Sequence, residues 1–268
     1  MSEIPAKLVK ELRDLTGAGM MDCKRALEET GGDLEAARTL LRERGKASAG
    51  KRAGRETSEG LVGYRVTDAA GTMVGVGCET DFVADNDEFL AFGVKVLEAV
   101  EADGESALDR FEQERLELIG KLGENVVIVD AVRFELTDGR VVDGYAHPPA
   151  NKIGVLVDLD GGTRELAREL AMHISFAAPE WTTRDQVPAE LVSTERQILM
   201  NSDEVQSKPE AAREKIVDGM LAKRFYASSP GGVLTDQAWV REPAKTVGQV
   251  LEEAGASVAR FARISVAG

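Results

Sequence analysis

Leu8, Leu12 and Leu15 recur at helical spacing behind Pro5, a residue suited to a first helical turn. Thr16-Gly17-Ala18-Gly19 interrupts the pattern, and Cys23, Ala26 and Leu27 resume it on one face of a second helix. Gly31-Gly32 breaks it again. Asp33 is a good N-cap for a third helix, lined by Leu34, Ala37, Leu40 and Leu41 and ended by Gly45. Residues 1–45 thus predict a small three-helix domain, better suited to presenting a surface than to enclosing a pocket. Residues 46–56 follow as a linker.

From Gly60 the period becomes that of strands. Gly60–Val66 and Thr72–Glu79 predict a hairpin across Asp68-Ala69-Ala70-Gly71. Phe89, Phe92, Val96 and Val100 then predict a helix, residues 105–121 a second, and Val126–Val129 a buried strand. The pattern repeats. Gly144-Tyr145 echoes Gly63-Tyr64, Ile153–Val157 echoes Val74–Cys78, and residues 163–177 echo the helix after residue 86. Two strands and a helix in one order, roughly 80 residues apart, predict a duplicated α+β unit rather than a solenoid. The halves fall at 57–140 and 141–268. Leu191, Ile198 and Val205, then Ala212, Ile216 and Met220 behind Pro209, predict an antiparallel helical hairpin over 188–226, broken at Ser207-Lys208 and projecting from the second half. Strand-like Gly232–Thr235, a helix over 246–254 and a strand over 259–266 close the chain.

Composition narrows the class. The 268 residues are 43% apolar and 30% charged, an ordinary globular balance. No run approaches ~18 apolar residues, and Met1–Pro5 has no basic or apolar leader region, so membrane-embedded and secreted classes are excluded and a cytoplasmic location is expected. Cys23 and Cys78 are too few for a disulfide framework and form no C-x-x-C, which predicts reduced thiols and no zinc. A net charge of −14 opposes contact with phosphate backbones, so neither nucleic acid nor membrane is an expected partner. The exception is local. Arg42, Arg44, Lys46, Lys51, Arg52 and Arg55 lie close together against Glu43 alone, as a solvated linker or as a basic strip for an acidic surface.

Catalytic signatures are missing. There is no phosphate-binding G-x-x-x-x-G-K-[ST], no dinucleotide G-x-G-x-x-G after a strand and no G-x-S-x-G elbow. His147 and His173 are the two histidines. They form no metal motif, and His173 shares a helix face with Leu166, Leu170 and Ala177, as a core or interface histidine would. No enzymatic chemistry, cofactor or metal is expected.

Glu79-Thr80-Asp81-Phe82-Val83-Ala84 stands at a strand-to-helix turn, where a rigid scaffold can hold functional side chains. Thr80 or Asp81 could cap the helix while Phe82 and Val83 pack inward. Alternatively, Phe82 projects as an apolar wedge beside Asp81, able to enter a partner's pocket and move a bound ion. These residues also carry a resemblance. Cys78–Ala84, Leu15–Lys24, Lys121-Leu122-Gly123-Glu124-Asn125, Ile153–Val157, Ala171-Met172-His173-Ile174 and Lys245–Gly248 are similar, in one order through the chain, to blocks of the elongation factor Ts family. Its members are bacterial guanine-nucleotide exchange factors of elongation factor Tu.

The resemblance implies a three-helix domain like ubiquitin-associated folds, a core of two similar α+β subdomains and an inserted antiparallel hairpin. It implies binding to GDP-bound and nucleotide-free elongation factor Tu, and release when GTP binds. Thr80, Asp81, Phe82 and Val83 would dislodge magnesium in that partner. Met20, Met21 and Lys24 would touch its nucleotide domain, with Leu122, Gly123, His147 and His173 as further contacts. Single-repeat members form obligate dimers; two repeats weaken that requirement here, and a 2:2 assembly with the partner stays open. The chain departs from some members in lacking a helical extension after Arg263–Val266, and has Leu122 where Ile is common. The rival is an adaptor whose three helices bind a peptide or ubiquitin-like surface and whose hairpin makes oligomers. It leaves the tip without a role.

Overall fold

The computed structural model describes residues 4–52 and 54–267, without the side chains of residues 46–49 and 51. Met1–Glu3 and the Lys46 and Lys51 side chains of the basic run lie outside the described residues.

Helices α1 (Ala6–Thr16), α2 (Met20–Glu29) and α3 (Leu34–Arg52) close around Val9, Leu12, Cys23, Ala26, Leu27 and Ala37. Asp33 caps α3 as expected, its Oδ1 accepting the Ala36 N–H at 2.9 Å. Leu15 is exposed rather than in this core, and Val9 is buried instead.

The first lobe runs β1 (Glu59–Val66), β2 (Ala70–Cys78), a single turn α4 (Asp81–Ala84), α5 (Asp87–Asp103), α6 (Glu112–Leu122) and β3 (Val126–Glu135). Residues 105–111 are a 3-10 helix, so the helix expected over 105–121 is divided, and β3 is longer than expected. The strands pair antiparallel in the order β1-β2-β3.

The second lobe starts with β4 (Arg140–Ala146), β5 (Ile153–Asp160) and α7 (Arg164–Ala177). After it come α8 (Ala189–Met200), the short α9 (Asp203–Gln206), α10 (Glu210–Met220) and a π turn over Leu221–Tyr226. A small ribbon of β6 (Ala238–Trp239) and β7 (Glu242–Thr246) leads to α11 (Val247–Glu253) and β8 (Ser257–Ser265). The sheet order β4-β5-β8 repeats the first, down to a bulge against the third strand, at Gly75/Val76 in one lobe and Asp158/Leu159 in the other. The hairpin and ribbon are inserted within the second copy.

The two sheets stack face to face over Val62, Met73, Phe134, Val142, Leu156 and Ile264. α5 and α6 cover the outer face of one, α7 and α11 that of the other. The central strands β2 and β5 are therefore buried on both faces, which explains their continuous apolar runs.

Other expectations change as well. α3 does not end at Gly45 but continues to Arg52, because Gly45 lies against Gly120 where α3 crosses α6, and packing outweighs the helix cost of glycine. Hence part of the linker expected over 46–56 is helical. In the hairpin, Leu199, Val205, Val217, Met220 and Leu221 form the core while Leu191 and Ile198 are exposed, and a second break falls after Met200. Gly232–Thr235 is not a strand: Val233 makes one parallel bridge to Trp181, and Leu234–Asp236 is a 3-10 turn. Among the described residues no helix is long and apolar enough to cross a membrane, and no three His, Cys, Asp or Glu side chains are grouped to hold a metal ion.

Candidate functional site

β2 ends at the buried Cys78, and Thr80, in an extended conformation, turns the chain into α4. The Ala84 N–H donates to the Thr80 carbonyl at 3.1 Å and the Asp85 N–H to the Asp81 carbonyl at 3.0 Å. Asp81 Oδ1 accepts the Phe82 N–H at 2.9 Å. Val83 packs into the core with Phe89 and Val126, whereas Phe82 is 87% exposed. Of the two readings of this turn, each therefore describes one residue: Val83 points in and Phe82 points out.

The Thr80 hydroxyl does not cap α4. It donates to Glu124 Oε1 at 2.7 Å, and the Thr80 N–H donates to Glu124 Oε2 at 3.0 Å. Beside it, Glu79 Oε1 accepts the Asn125 N–H at 2.6 Å, and Arg55 approaches Glu79 to 3.3 Å. Asn125 is buried; its Nδ2 donates to the Arg55 carbonyl at 3.0 Å and its Oδ1 has no partner. The Cys78 thiol donates to the Thr80 carbonyl at 3.2 Å. Burial first, and then the Glu124 charge, push that thiol up to about 12.

Leu122 and Gly123 support this arrangement. Leu122 is half-buried against the first-lobe core. Gly123 ends α6 at φ +81°, a conformation that favours glycine, with its N–H on the Ile119 carbonyl at 3.0 Å. That turn aims Glu124 and Asn125 at the tip. Sequence reasoning singled out their block, Lys121–Asn125, but passed over these two as site residues. The signal was present in the block and absent from any periodicity.

The other expected site residues lie elsewhere. Met20 and Met21 are 51% and 62% exposed on α2, with exposed Lys24 beside Glu28 at 3.8 Å. Leu15, across the Gly17–Gly19 turn, is exposed as well. His147 is exposed beyond β4, and its Nδ1 lies 3.1 Å from the Tyr145 hydroxyl. His173 is 3% exposed and presents no docking surface. Its ring stacks on Trp239, and its Nε2–H donates to Gln237 Oε1 at 3.0 Å, which leaves Nδ1 bare. Burial pushes its pKa down, so the neutral ring is favoured. The exposed large apolar residues on that helix are Met172 and Phe176.

The basic run meets acids of its own chain. Arg42 reaches Glu117 at 3.5 Å and Arg44 reaches Glu29 at 2.5 Å, while Arg52 donates to the Ile119 carbonyl at 3.4 Å and Arg55 pairs with Glu79. These contacts tie the bundle to α6 and to the base of the tip.

The tip belongs to one copy of the repeat. In the second lobe the chain leaves β5 through Gly161-Gly162 directly into α7, where Thr163 Oγ1 accepts the Leu166 N–H at 3.1 Å. Nothing there corresponds to α4. Fold and site together define a duplicated α+β scaffold with an N-terminal helical bundle and one projecting apolar tip. A family model described as Elongation factor TS matches residues 79–268. The chain is 41% identical to elongation factor Ts of Idiomarina loihiensis over 273 residues, covering 98% of this chain and 91% of that protein. It is 43% identical to elongation factor Ts of Thioalkalivibrio sulfidiphilus over 279 residues, covering 98% and 92%. With that of Klebsiella pneumoniae it shares 41% over 270 residues, covering 99% and 92%. The chain belongs to the elongation factor Ts family, the nucleotide exchange factors of translation elongation.

Proposed function

We propose that this protein binds elongation factor Tu in its GDP-bound state, displaces magnesium through the Thr80–Val83 tip, and leaves when GTP binds. It works in the cytoplasm, with no cofactor of its own. The observation that carries the tip mechanism is Phe82, 87% exposed on a turn whose neighbours are buried or hydrogen-bonded.

An exchange factor acts by binding the nucleotide-free partner better than the nucleotide-bound one. Linkage makes the effect reciprocal, so that incoming nucleotide expels the factor. Magnesium bridges phosphate oxygens and protein ligands, and moving it weakens the hold on phosphate. A differential of about 4 kcal/mol shifts the balance roughly a thousandfold. Burying one Phe contributes about 1.5–3 kcal/mol, and an exposed Phe82 has that contribution still to make. The remainder comes from docking, for which Met20, Met21, Lys24 and His147 offer exposed side chains. Leu122, Gly123 and His173 serve from beneath, by shaping the surface.

The test is release of a fluorescent GDP analogue from elongation factor Tu, with wild type and Phe82→Ala. Wild type accelerates release, and Phe82→Ala is expected to be about 10- to 100-fold slower. Its melting temperature should be little changed, since the side chain is almost wholly exposed. Equal acceleration by both proteins overturns the tip mechanism and keeps the exchange function. No acceleration by either puts the adaptor in its place.

A further inference from the structure

We infer that Glu124 is a positioning residue of the tip: with Glu79 and Asn125 it forms a two-way clasp that sets the direction in which Phe82 projects. The inference rests on Phe82 being the acting side chain.

Consider what else could aim it. α4 has four residues, too few to be stable as a helix without outside support. Phe82 has almost no packing of its own. Val83 is the one fully buried side chain of α4, and the half-buried Ala84 packs against the same core; these two adjacent contacts hold the end of the turn and leave the direction of its start to other restraints. The remaining restraint is polar. Both Thr80 donors go to the two oxygens of one carboxylate, 44 positions further along the chain. The Thr80 carbonyl is held as well, by the Cys78 thiol and the Ala84 N–H.

The neighbouring pair runs in the opposite direction, Asn125 N–H to Glu79 Oε1. Residues 79 and 80 are thus bonded to 125 and 124, one carboxylate from each side. Charged acceptors make such bonds short and directional, and two bonds to one carboxylate fix a plane as well as a distance. Phe82 follows Thr80 by two residues, and its own N–H is taken by Asp81. Its direction is therefore inherited from Thr80, and that of Thr80 from Glu124. A wedge aimed before contact spends none of its binding energy on being ordered.

The experiment measures GDP release from elongation factor Tu against factor concentration, for wild type, Glu124→Ala, Thr80→Val, Thr80→Ser, Phe82→Ala and the double variant Glu124→Ala/Phe82→Ala. Folding of each is checked by thermal melting. Glu124→Ala is expected to lower the maximal release rate about tenfold, equivalent to about 1.4 kcal/mol. The half-saturating concentration should stay within about twofold, because docking surfaces elsewhere are untouched. Thr80→Val, which replaces the hydroxyl by a methyl group, should reproduce part of the loss, and Thr80→Ser, which keeps a donor for Glu124, should be faster than Thr80→Val. The double variant should be no slower than Phe82→Ala, since an absent wedge cannot be misaimed.

A wild-type maximal rate in folded Glu124→Ala, a change confined to the half-saturating concentration, or additive losses in the double variant overturns the inference. Should Glu124→Ala fail to fold, Thr80→Val is judged by the same readouts, with Thr80→Val/Phe82→Ala as the double variant. If Phe82→Ala itself releases GDP at the wild-type rate, the wedge reading falls and the clasp falls with it. If Phe82→Ala is slow while Glu124→Ala and Thr80→Val keep the full rate, the clasp alone falls.

Discussion

At Cys78 burial and a neighbouring carboxylate act in the same direction, raising the thiol from 9.0 to about 12. The folded protein keeps a proton that the unfolded chain gives up near pH 9. Stability from this group is therefore complete below pH 9 and is lost as pH rises toward 12. Cys23 shifts the same way, chiefly by burial. Neither thiol is expected to react with a chromogenic disulfide at pH 8 in the native protein, whereas denatured protein should titrate both. Rapid reaction of the native protein would contradict this. His173 has the opposite sign: its lowered pKa gives stability that is complete above the ordinary histidine value of 6.5 and lost as pH falls through the folded value. Its face, shared with Leu166, Leu170 and Ala177, was legible in the helical period. Whether that face was core or interface was not, because Trp239 and Gln237 reach it from another part of the chain.

Between elements, the crossing of α3 and α6 depends on two residues without side chains. A Cβ on Gly120 would stand 3.2 Å from the Gly45 Cα, tighter than ordinary contact. Gly120→Val is expected to lift α3 from α6 and loosen the Arg42–Glu117 and Arg52–Ile119 contacts. Trypsin should then cut after Arg52 and Arg55 several times faster, with the melting of the two lobes little changed. Unaltered cleavage would refute the crossing as the restraint. A second junction is Asp158, 1% exposed in β5 and bound by Arg140 Nε and Arg260 Nε, each at 2.9 Å, from the strands on either side. Asp158→Ala should cost about 1.5–3 kcal/mol, read as a lower denaturant midpoint, because both guanidinium groups lose their charged acceptor. A variant of wild-type stability would assign the joint to apolar packing alone. The spacing of Ile153–Val157 marked a strand, but the meaning of a carboxylate within it depends on neighbours that only pairing supplies.

For the molecule as a whole, the duplicated lobes share a core between their sheets, while the hairpin has its own. α8 and α10 are held antiparallel by Arg196, which pairs with Glu214 at 2.9 Å and also with Asp218. Replacing residues 190–220 with a short glycine-serine linker is expected to move the main thermal transition by no more than about 5 °C, since cores that share few contacts unfold as separate units. Loss of the cooperative transition would show that the hairpin helps to hold the lobes.

Periodicity reports on neighbours within a few positions, and much of what depends on such neighbours was readable from the chain. That covers the three helices, the repeated strand–strand–helix order, the Asp33 cap and the place of the tip between strand and helix. The ordered blocks also carried the family. Contacts between distant positions leave no period. The extension of α3 past Gly45 needed Gly120, the burial of His173 needed Trp239, and the basic run needed the acids of α2 and α6. The outward Phe82 and inward Val83 differ by one residue on a single turn. Which of them faces the core follows from where Thr80 is held, and Glu124, on the far side of α5 and α6 in the chain, holds it.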